Sequence, residues 1–207
     1  VKIMDTADQA VLLVPQEHNL FPWMTALDNA IYGLRRAGVE RAECVTRAMP
    51  LFKRLGIAAR TEAWPSELST GMKQRVAVIR AFLSRPGLLL MDEPFGALDA
   101  QTREQLQQQL MELWIESRAG VIFVTHDVEE AIYLGQRVVL MAPRPGRIDS
   151  IYHVPLPAQR EQDMKLAPEF LRLKKEIVER IRETSGMKTD LELLRRLSHN
   201  GAGAPTA

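Results

Sequence analysis

Short apolar runs alternate along the chain with longer segments of helical periodicity. The apolar runs are AVLLV at 10–14, LLLMD at 88–92, VIFVT at 121–125 and RVVLMA at 137–142. Runs of this length predict buried strands, and their spacing leaves room for a helix between successive strands. The pattern therefore predicts an α/β fold in which a mostly parallel sheet is covered by helices on both faces.

Helix boundaries in the first third of the chain are marked by capping residues and glycine. Thr25, followed three positions later by Asp28, resembles a capping box and predicts a helix that runs to about Arg36. A second helical pattern stops at Gly56 but contains Pro50. Because proline lacks a backbone donor and clashes with the preceding turn, it predicts that this helix is kinked or split.

Ser69 predicts the N-cap of a further helix, which ends before Pro86. The later segments predict three more helices and a returning edge strand in IDSIYHV. The predicted ranges are 100–118, 127–134 and 168–183 for the helices and 148–154 for the strand.

The composition is that of a globular domain: the chain has 207 residues, of which 46% are hydrophobic and 26% charged. A net charge of +1 argues against a dedicated nucleic-acid binder. The single cysteine, Cys44, excludes a disulfide framework and a cysteine-cluster metal site. The first ten residues lack a signal-peptide pattern and a start methionine, from which we expect a chain that begins within a longer protein.

Two acidic residues lie at the end of the predicted LLLMD strand. Asp92 and Glu93 would lie at the carboxyl edge of a parallel sheet, where ligands of open α/β folds bind. Asp92 could hold Mg²⁺ through water, and Glu93 could orient or deprotonate an attacking water molecule. The alternative is a strand that simply ends in solvated acids.

Polar residues at other predicted element ends could contribute to the same chemistry. Ser69 and Gly71 begin a helix, where free N–H groups and the helix dipole favour phosphate. His126 and Gln16 follow apolar strands and could contact a phosphate, a metal ion or an attacking water. Each also has an ordinary interpretation: Ser69 as a plain N-cap, His126 as a structural histidine and Gln16 as an exposed side chain.

A nucleotide-binding protein of this kind would also carry a glycine-rich phosphate cradle, G-x-x-x-x-G-K-[ST]. That motif needs a glycine followed by lysine, and none of the 12 glycines in the chain is followed by lysine. The sequence therefore contains no phosphate cradle.

The motifs in their order resemble the ATPase subunit of ABC transporters. The resemblance runs from about Val11 to Arg147 and is carried by PQ, LSTGMKQRV, LLLMDEPFGALD and VTHD. The segments QEHNLFPW, TALDNA, PRPGRI and PLPAQRE are similar to the importer branch for nitrate, sulfonates and taurine. The resemblance implies a P-loop NTPase-like fold, truncated at its N-terminus, with ATP and Mg²⁺ as cofactors.

The resemblance also implies roles for the residues at the sheet edge. Gln16 matches the Q-loop glutamine, which contacts Mg²⁺ and links the ATP site to the membrane subunit. Asp92 matches the metal aspartate, Glu93 the catalytic base and His126 the switch histidine.

A second set of roles concerns the contact between two subunits. Ser69, Thr70 and Gly71 match the signature loop, which faces the γ-phosphate of ATP held by the opposite subunit, and Asp99 matches the D-loop aspartate. Thr70 departs from the family, which usually has glycine there. Its branched Cβ stiffens the backbone and crowds the phosphate.

The resemblance divides the chain into a partial ATPase domain and an appendage. We predict the partial domain at 1–160 with a helical subdomain at about 24–84, a C-terminal helical appendage at 161–198 and a disordered tail at 199–207.

The function implied is that of an importer subunit at the cytoplasmic face of the membrane, which couples ATP hydrolysis in a head-to-tail dimer to uptake of a small anion. Its partners would be transmembrane permease subunits, a second identical or different ATPase subunit and, indirectly, a solute-binding protein, with no nucleic acid. One alternative is a catalytically incompetent, truncated subunit that donates only its signature loop to a complete partner. Another is a soluble ATPase of translation or DNA repair, but the chain lacks the duplicated cassettes or coiled-coil insertions of those proteins.

Overall fold

The computed structural model describes residues 11–117, 119–143 and 145–184. Helices and strands alternate, as the apolar pattern predicts. The strands are β1 (Val11–Val14), β2 (Leu88–Asp92), β3 (Gly120–Val124), β4 (Arg137–Ala142) and β5 (Arg147–His153). The helices are α1 (Ala26–Arg36), α2 (Arg41–Arg54), α3 (Thr70–Leu83), α4 (Ala100–Ser117), α5 (Val128–Leu134) and α6 (Pro168–Thr184).

Strands β1, β2 and β3 form a parallel sheet in that order. Leu89 and Met91 of β2 are fully buried, together with Val14 at the end of β1. The alternate positions are exposed, with Leu13 60% and Ile122 53% accessible. The sequence predicts that these strands are buried on both faces. Among the described residues, only one face of the sheet is buried.

Helix α1 begins as the capping residues predict. The Thr25 side chain accepts a hydrogen bond from the Asp28 N–H at 3.2 Å, and Arg35 and Arg36 lie in the last turn, near the negative end of the helix dipole. Asn29 is fully buried within α1 and is bonded to the turn before the helix.

Helix α2 runs from Arg41 to Arg54 without a break, so the predicted split at Pro50 is wrong, while the predicted kink stays a prediction. Cys44, Ala48 and Phe52 recur every four residues and are fully buried. Packing of this apolar stripe is the physical reason that the helix persists although Pro50 removes one of its hydrogen bonds.

Helix α3 precedes β2 in the sequence, and helix α4 follows it. Ser69 caps α3, and its hydroxyl accepts a hydrogen bond from the Met72 N–H at 3.3 Å. Most of α3 is buried, and the helix packs against α1, α2, α4 and β1. Helix α4 confirms the helix predicted at 100–118, and it buries Leu106, Leu110 and Leu113.

The contacts divide the described residues into two compact units. The first lies within 11–126 and 157–162, and the second within 127–156 and 163–184. In the second unit β4 and β5 form an antiparallel pair, which confirms the predicted returning strand. Its core comprises Ile132, Tyr133, Val154, Phe170, Leu173 and Ile177.

The domain boundary at 160 and the extent of the C-terminal appendage stay predictions. The tail predicted to be disordered, 199–207, lies outside the described residues. No helix among the residues that the structure describes is long and apolar enough to cross a membrane.

Candidate functional site

The end of β2 carries the two acids to the carboxyl edge of the parallel sheet. Asp92 is the last residue of the strand and pairs with Val124 of β3. The Glu93 N–H donates to the Val124 carbonyl at 2.9 Å, and the Gly96 N–H donates to the Glu93 carbonyl at 3.2 Å. Glu93 has a φ of 41°, which is unusual for a residue with a side chain. Strain of this kind is common at functional sites, so Glu93 is a candidate on backbone geometry as well as on sequence.

His126 lies against Glu93. Its Nδ1 is 3.1 Å from Glu93 Oε1, a hydrogen-bonding distance. The His126 side chain is 75% exposed and that of Glu93 is 30% exposed, so the pair is open to solvent on the histidine side. The two residues follow neighbouring parallel strands, which explains why positions 33 apart in sequence meet here.

Gln16 reaches the same place from the end of β1. A Cβ atom added at Gly96 would lie 3.9 Å from Glu93 Oε2 and 4.0 Å from Gln16 Nε2. The Gln16 amide and the Glu93 carboxylate therefore both lie close to Gly96. The structure brings Gln16, Glu93 and His126 together, and Asp92 directly precedes Glu93. We name these four residues the catalytic group after the role that the sequence predicts for them.

The residues after Gln16 are hydrogen-bonded to helix α3. Arg80 donates from Nη2 to the His18 carbonyl at 3.0 Å and from Nη1 to the Asn19 carbonyl at 2.9 Å. Burial lowers the pKa of Arg80. Burial also lowers the pKa of His18, reinforced by the charge of Lys73 and opposed by a hydrogen bond with the Thr70 backbone.

Arg80 and His18 were not among the residues predicted from sequence. They connect positions that are about sixty residues apart, and no spacing rule relates such positions. The bond from Arg80 to His18 spans 62 residues.

The signature loop, Ser69–Gly71, lies at the N-terminus of α3. Ser69 is the N-cap, and Thr70 and Gly71 are the first two helical residues. Ser69 and Thr70 are exposed, so the loop presents its hydroxyl groups to solvent. The start of a long helix offers free N–H groups and a positive dipole end to an anion.

Asp99 lies just before α4 and accepts a hydrogen bond at Oδ1 from the Thr102 N–H at 2.9 Å. Hydrogen bonds from Thr102, first from its backbone and then from its side chain, lower the pKa of Asp99. Asp99 was predicted from the sequence, whereas Thr102 was not. The spacing of an aspartate three residues before a threonine, at the start of a helical pattern, was the signal that could have identified it.

The catalytic group has the donors that Mg²⁺ prefers. The Asp92 and Glu93 carboxylates and the Gln16 amide oxygen are hard oxygen ligands. The described residues contain no group of three or more His, Cys, Asp or Glu side chains placed to hold a metal ion by themselves. One or two carboxylates are what Mg²⁺ commonly takes from a protein when water and phosphate oxygens complete its coordination.

The fold is similar to that of solved ATP-binding cassettes. One is a dimeric cassette in a post-hydrolysis state bound to ADP and Pi, which matches 70% of this chain and 63% of its own length with a TM-score of 0.61 and 31% identity. A second structure, of a dimeric bacterial ABC transporter cassette, gives a TM-score of 0.57 at 34% identity over 63% of this chain and 58% of its own. The P-loop NTPase-like α/β class predicted from sequence is confirmed.

Sequence comparison points to the same class. The profile of the ABC transporter family matches residues 2–96. The taurine import ATP-binding protein of Chromobacterium violaceum is 45% identical over 177 residues, which are 83% of this chain and 67% of the relative. The nitrate import ATP-binding protein of Synechocystis is 39% identical over 184 residues, 86% of this chain and 69% of the relative. The chain belongs to the ABC transporter family and is similar to its importer ATP-binding proteins.

The chain spans only part of some relatives. ATP-binding proteins of Brucella abortus and Brucella suis are 45% identical over 162 residues, which are 78% of this chain but 62% of the relatives' length.

Proposed function

We propose that the chain is the ATP-binding subunit of an ABC importer and that it couples ATP hydrolysis in a head-to-tail dimer to uptake of a small anion. The observation that carries the proposal is the catalytic group, in which Gln16, Glu93 and His126 meet beside Asp92 at the end of β2. The names of the relatives support nitrate, a sulfonate or taurine as the class of solute.

The catalytic group supplies the chemistry of hydrolysis. Glu93 accepts the proton of an attacking water molecule, and His126 orients the Glu93 carboxylate through its Nδ1 contact at 3.1 Å. Asp92 and Gln16 would hold Mg²⁺ through oxygen atoms, Asp92 through water. A bound Mg²⁺ would supply positive charge that offsets the negative charge of the ATP phosphates.

The signature loop serves the second subunit. Ser69 and Gly71 contact the γ-phosphate of ATP held by the partner, since the loop combines an exposed hydroxyl with a helix N-terminus. Thr70 at the usual glycine position reduces backbone freedom there and weakens this contact. Asp99 faces the partner from the start of α4.

The membrane subunits bind at the aromatic turn before α1. Trp23 is 68% exposed and lies 5.5 Å from the Phe21 ring, which in turn lies 4.8 Å from the Tyr32 ring. Asn29 holds this turn, because its Oδ1 accepts from the Phe21 N–H at 2.7 Å. An exposed aromatic surface on this hydrogen-bonded turn suits a helix presented by a permease. This surface supports our proposal that the protein binds peripherally at the cytoplasmic face of the membrane.

One alternative function is that of a subunit without a phosphate cradle of its own. A subunit without a cradle still donates Ser69 and Gly71 to a complete partner, but it does not hydrolyse ATP in its own site. The intact mass of the polypeptide purified from its native cell separates the two functions. A mass above 23.4 kDa, with a cradle in the additional residues, supports hydrolysis, whereas a mass of 23.4 kDa favours the half-site.

The substitution Glu93→Gln tests the catalytic group in the subunit purified with its membrane partners. Removal of the base is expected to lower ATP turnover by about 100-fold or more while ATP binding is retained. Glu62→Gln is the matched control, since Glu62 is an exposed glutamate of the helical subdomain. Unchanged turnover in Glu93→Gln would contradict the role assigned to Glu93.

A further inference from the structure

Helices α3 and α4 meet at their N-termini with almost no space between them. A Cβ atom added at Gly71 would lie 2.8 Å from Thr102 Cγ2 and 3.9 Å from Leu98 Cδ2. The first of these distances is shorter than real Cβ contacts, so a side chain at position 71 would force Thr102 to move. Approach of a phosphate is thus not the only reason for a glycine at position 71.

The Thr102 side chain is held from its other end by Asp99. The Asp99 carboxylate accepts a hydrogen bond from the Thr102 N–H, and the Thr102 side chain also hydrogen-bonds to it. The hydroxyl and the methyl of threonine share one carbon and turn together about χ1, so a bond that fixes the hydroxyl also fixes the methyl. The bond to Asp99 therefore sets the direction in which Thr102 Cγ2 points, which is toward Gly71.

The two residues Leu98 and Asp99 precede α4, and they are hydrogen-bonded to its first turn. Arg103 Nη2 donates to the Leu98 carbonyl at 2.9 Å, so the residue before Asp99 is bonded to the first turn of the helix. On the other side of the contact, the Ser69 hydroxyl caps the Met72 N–H. A continuous set of contacts thus runs from Asp99 through Thr102 to the signature loop.

We propose that Thr102 is a positioning residue through which Asp99 controls the conformation of the signature loop. While Asp99 is bonded to Thr102, the threonine methyl occupies the space beside Gly71 and holds the loop in place. When Asp99 exchanges this bond for a group on another subunit, Thr102 rotates and the loop relaxes. This last step rests on the proposed function, whereas the link between Asp99, Thr102 and the loop belongs to the single chain.

The contact between the Thr102 methyl and position 71 is tested by second-site rescue in the 207-residue chain. Gly71→Ala is expected to lower the urea midpoint and to speed amide exchange at Met72, because its methyl has no room beside Thr102. Thr102→Ser removes Cγ2 and keeps the hydroxyl, so the double variant is expected to recover at least half of both losses. Coupling between contacting residues amounts to at least about twofold in an equilibrium constant.

Thr46→Ser is the matched control for the rescue, because it removes the same methyl from an exposed threonine on α2. It is expected to leave the Gly71→Ala defect unchanged. If the effects of Gly71→Ala and Thr102→Ser on the urea midpoint and on exchange at Met72 simply add in the double variant, the proposed contact between the two residues is wrong.

The part played by Asp99 is tested by Thr102→Val, which keeps a methyl against Gly71 and removes the hydroxyl. Exchange at Met72 is expected to rise by about twofold or more, because the side chain is no longer fixed by Asp99. Exchange equal to that of the parent chain would overturn the link to Asp99. None of these measurements needs nucleotide, so their outcome is independent of whether the proposed ATPase function holds.

Discussion

Glu93 and Arg80 each form contacts with residues that are distant in the sequence. Glu93 follows an apolar strand, and that position alone predicts a ligand-binding edge. Its left-handed φ of 41° and its contact with His126 appear only in the structure. The contact is explained by the parallel pairing of β2 and β3, because the residues that follow the two strands then lie at the same edge of the sheet. Arg80 lies inside a helix of ordinary pattern, and its partners are carbonyl groups, which have no signature in a sequence.

Arg80 makes a prediction at this scale. Arg80→Met removes two bonds from a charged donor to the loop that follows Gln16, and we expect a loss of about 1–3 kcal/mol in the free energy of unfolding. Urea unfolding measures the loss, and amide exchange at residues 17–20 should increase with it.

Arg35→Met is the matched control for Arg80. Arg35 Nη1 makes an exposed bond to the Val39 carbonyl at 2.9 Å, and exposed polar bonds of this kind contribute little. Equal effects of the two substitutions would show that the loop after Gln16 does not depend on Arg80.

Element boundaries were predictable where a side chain caps a helix and less so where packing decides. Thr25 and Ser69 were identified as N-caps from the sequence, and both accept the expected backbone hydrogen bonds. Pro50 predicts a kinked or split α2, and the helix is not split. The local rule considers only the lost hydrogen bond and the clash with the preceding turn, whereas the buried positions Ala48 and Phe52 on either side of Pro50 hold the helix together.

Pro50→Ala is expected to stabilise the protein. Alanine restores the missing donor and removes the clash with the preceding turn, and an exposed site leaves the core unchanged. The greater freedom of the unfolded chain opposes this gain, so we expect a net increase of about 2 kcal/mol in the free energy of unfolding. The urea midpoint measures it.

Pro65→Ala provides the comparison for Pro50. Pro65 is buried and begins a short 3₁₀ turn, where the N–H that proline lacks has no helical partner. No gain is expected there. A midpoint that rises equally in both variants, or falls in Pro50→Ala, would mean that Pro50 is not the unfavourable residue of α2.

At the scale of the molecule, the sequence predicts the strands but not how they are distributed between sheets. The carboxyl-edge residues were found because parallel strands bring their ends to one edge whatever their order. The pairing of β4 with β5 in a separate antiparallel sheet depends on contacts between side chains distant in sequence, as does the division into two units. The alternation of buried and exposed positions within β1 likewise depends on what packs on each face.

Each unit contains a carboxylate whose pKa is lowered by an arginine. In the first unit, a hydrogen bond from Arg54 lowers the pKa of Glu116. In the second, Arg180 donates to both oxygens of Asp149, at 2.7 Å and 2.8 Å, and joins α6 to β5. The bonds from Arg180, followed by that from Ser150, lower the pKa of Asp149 below its ordinary value of 3.8.

The lowered pKa of Asp149 sets the direction of its effect on stability. Because the folded state holds the carboxylate ionised, the contact stabilises the second unit fully above pH 3.8 and is lost as the pH falls through the lowered pKa. Asp149→Asn imitates the protonated group at every pH. It is therefore expected to be less stable than the parent chain at pH 7, and this difference should shrink below pH 3.8.

Hydrogen exchange of peptides within 147–184 measures the stability of the second unit across this range. Glu176→Gln is the control, since Glu176 is an exposed acid on the same helix, and it should follow the parent chain at every pH. A difference between Asp149→Asn and the parent that stays constant down to the lowest pH would mean that Asp149 contributes through packing and not through its charge. The expected narrowing of the difference would instead identify the Arg180 pair as one origin of acid sensitivity, because only an ionised carboxylate forms the pair.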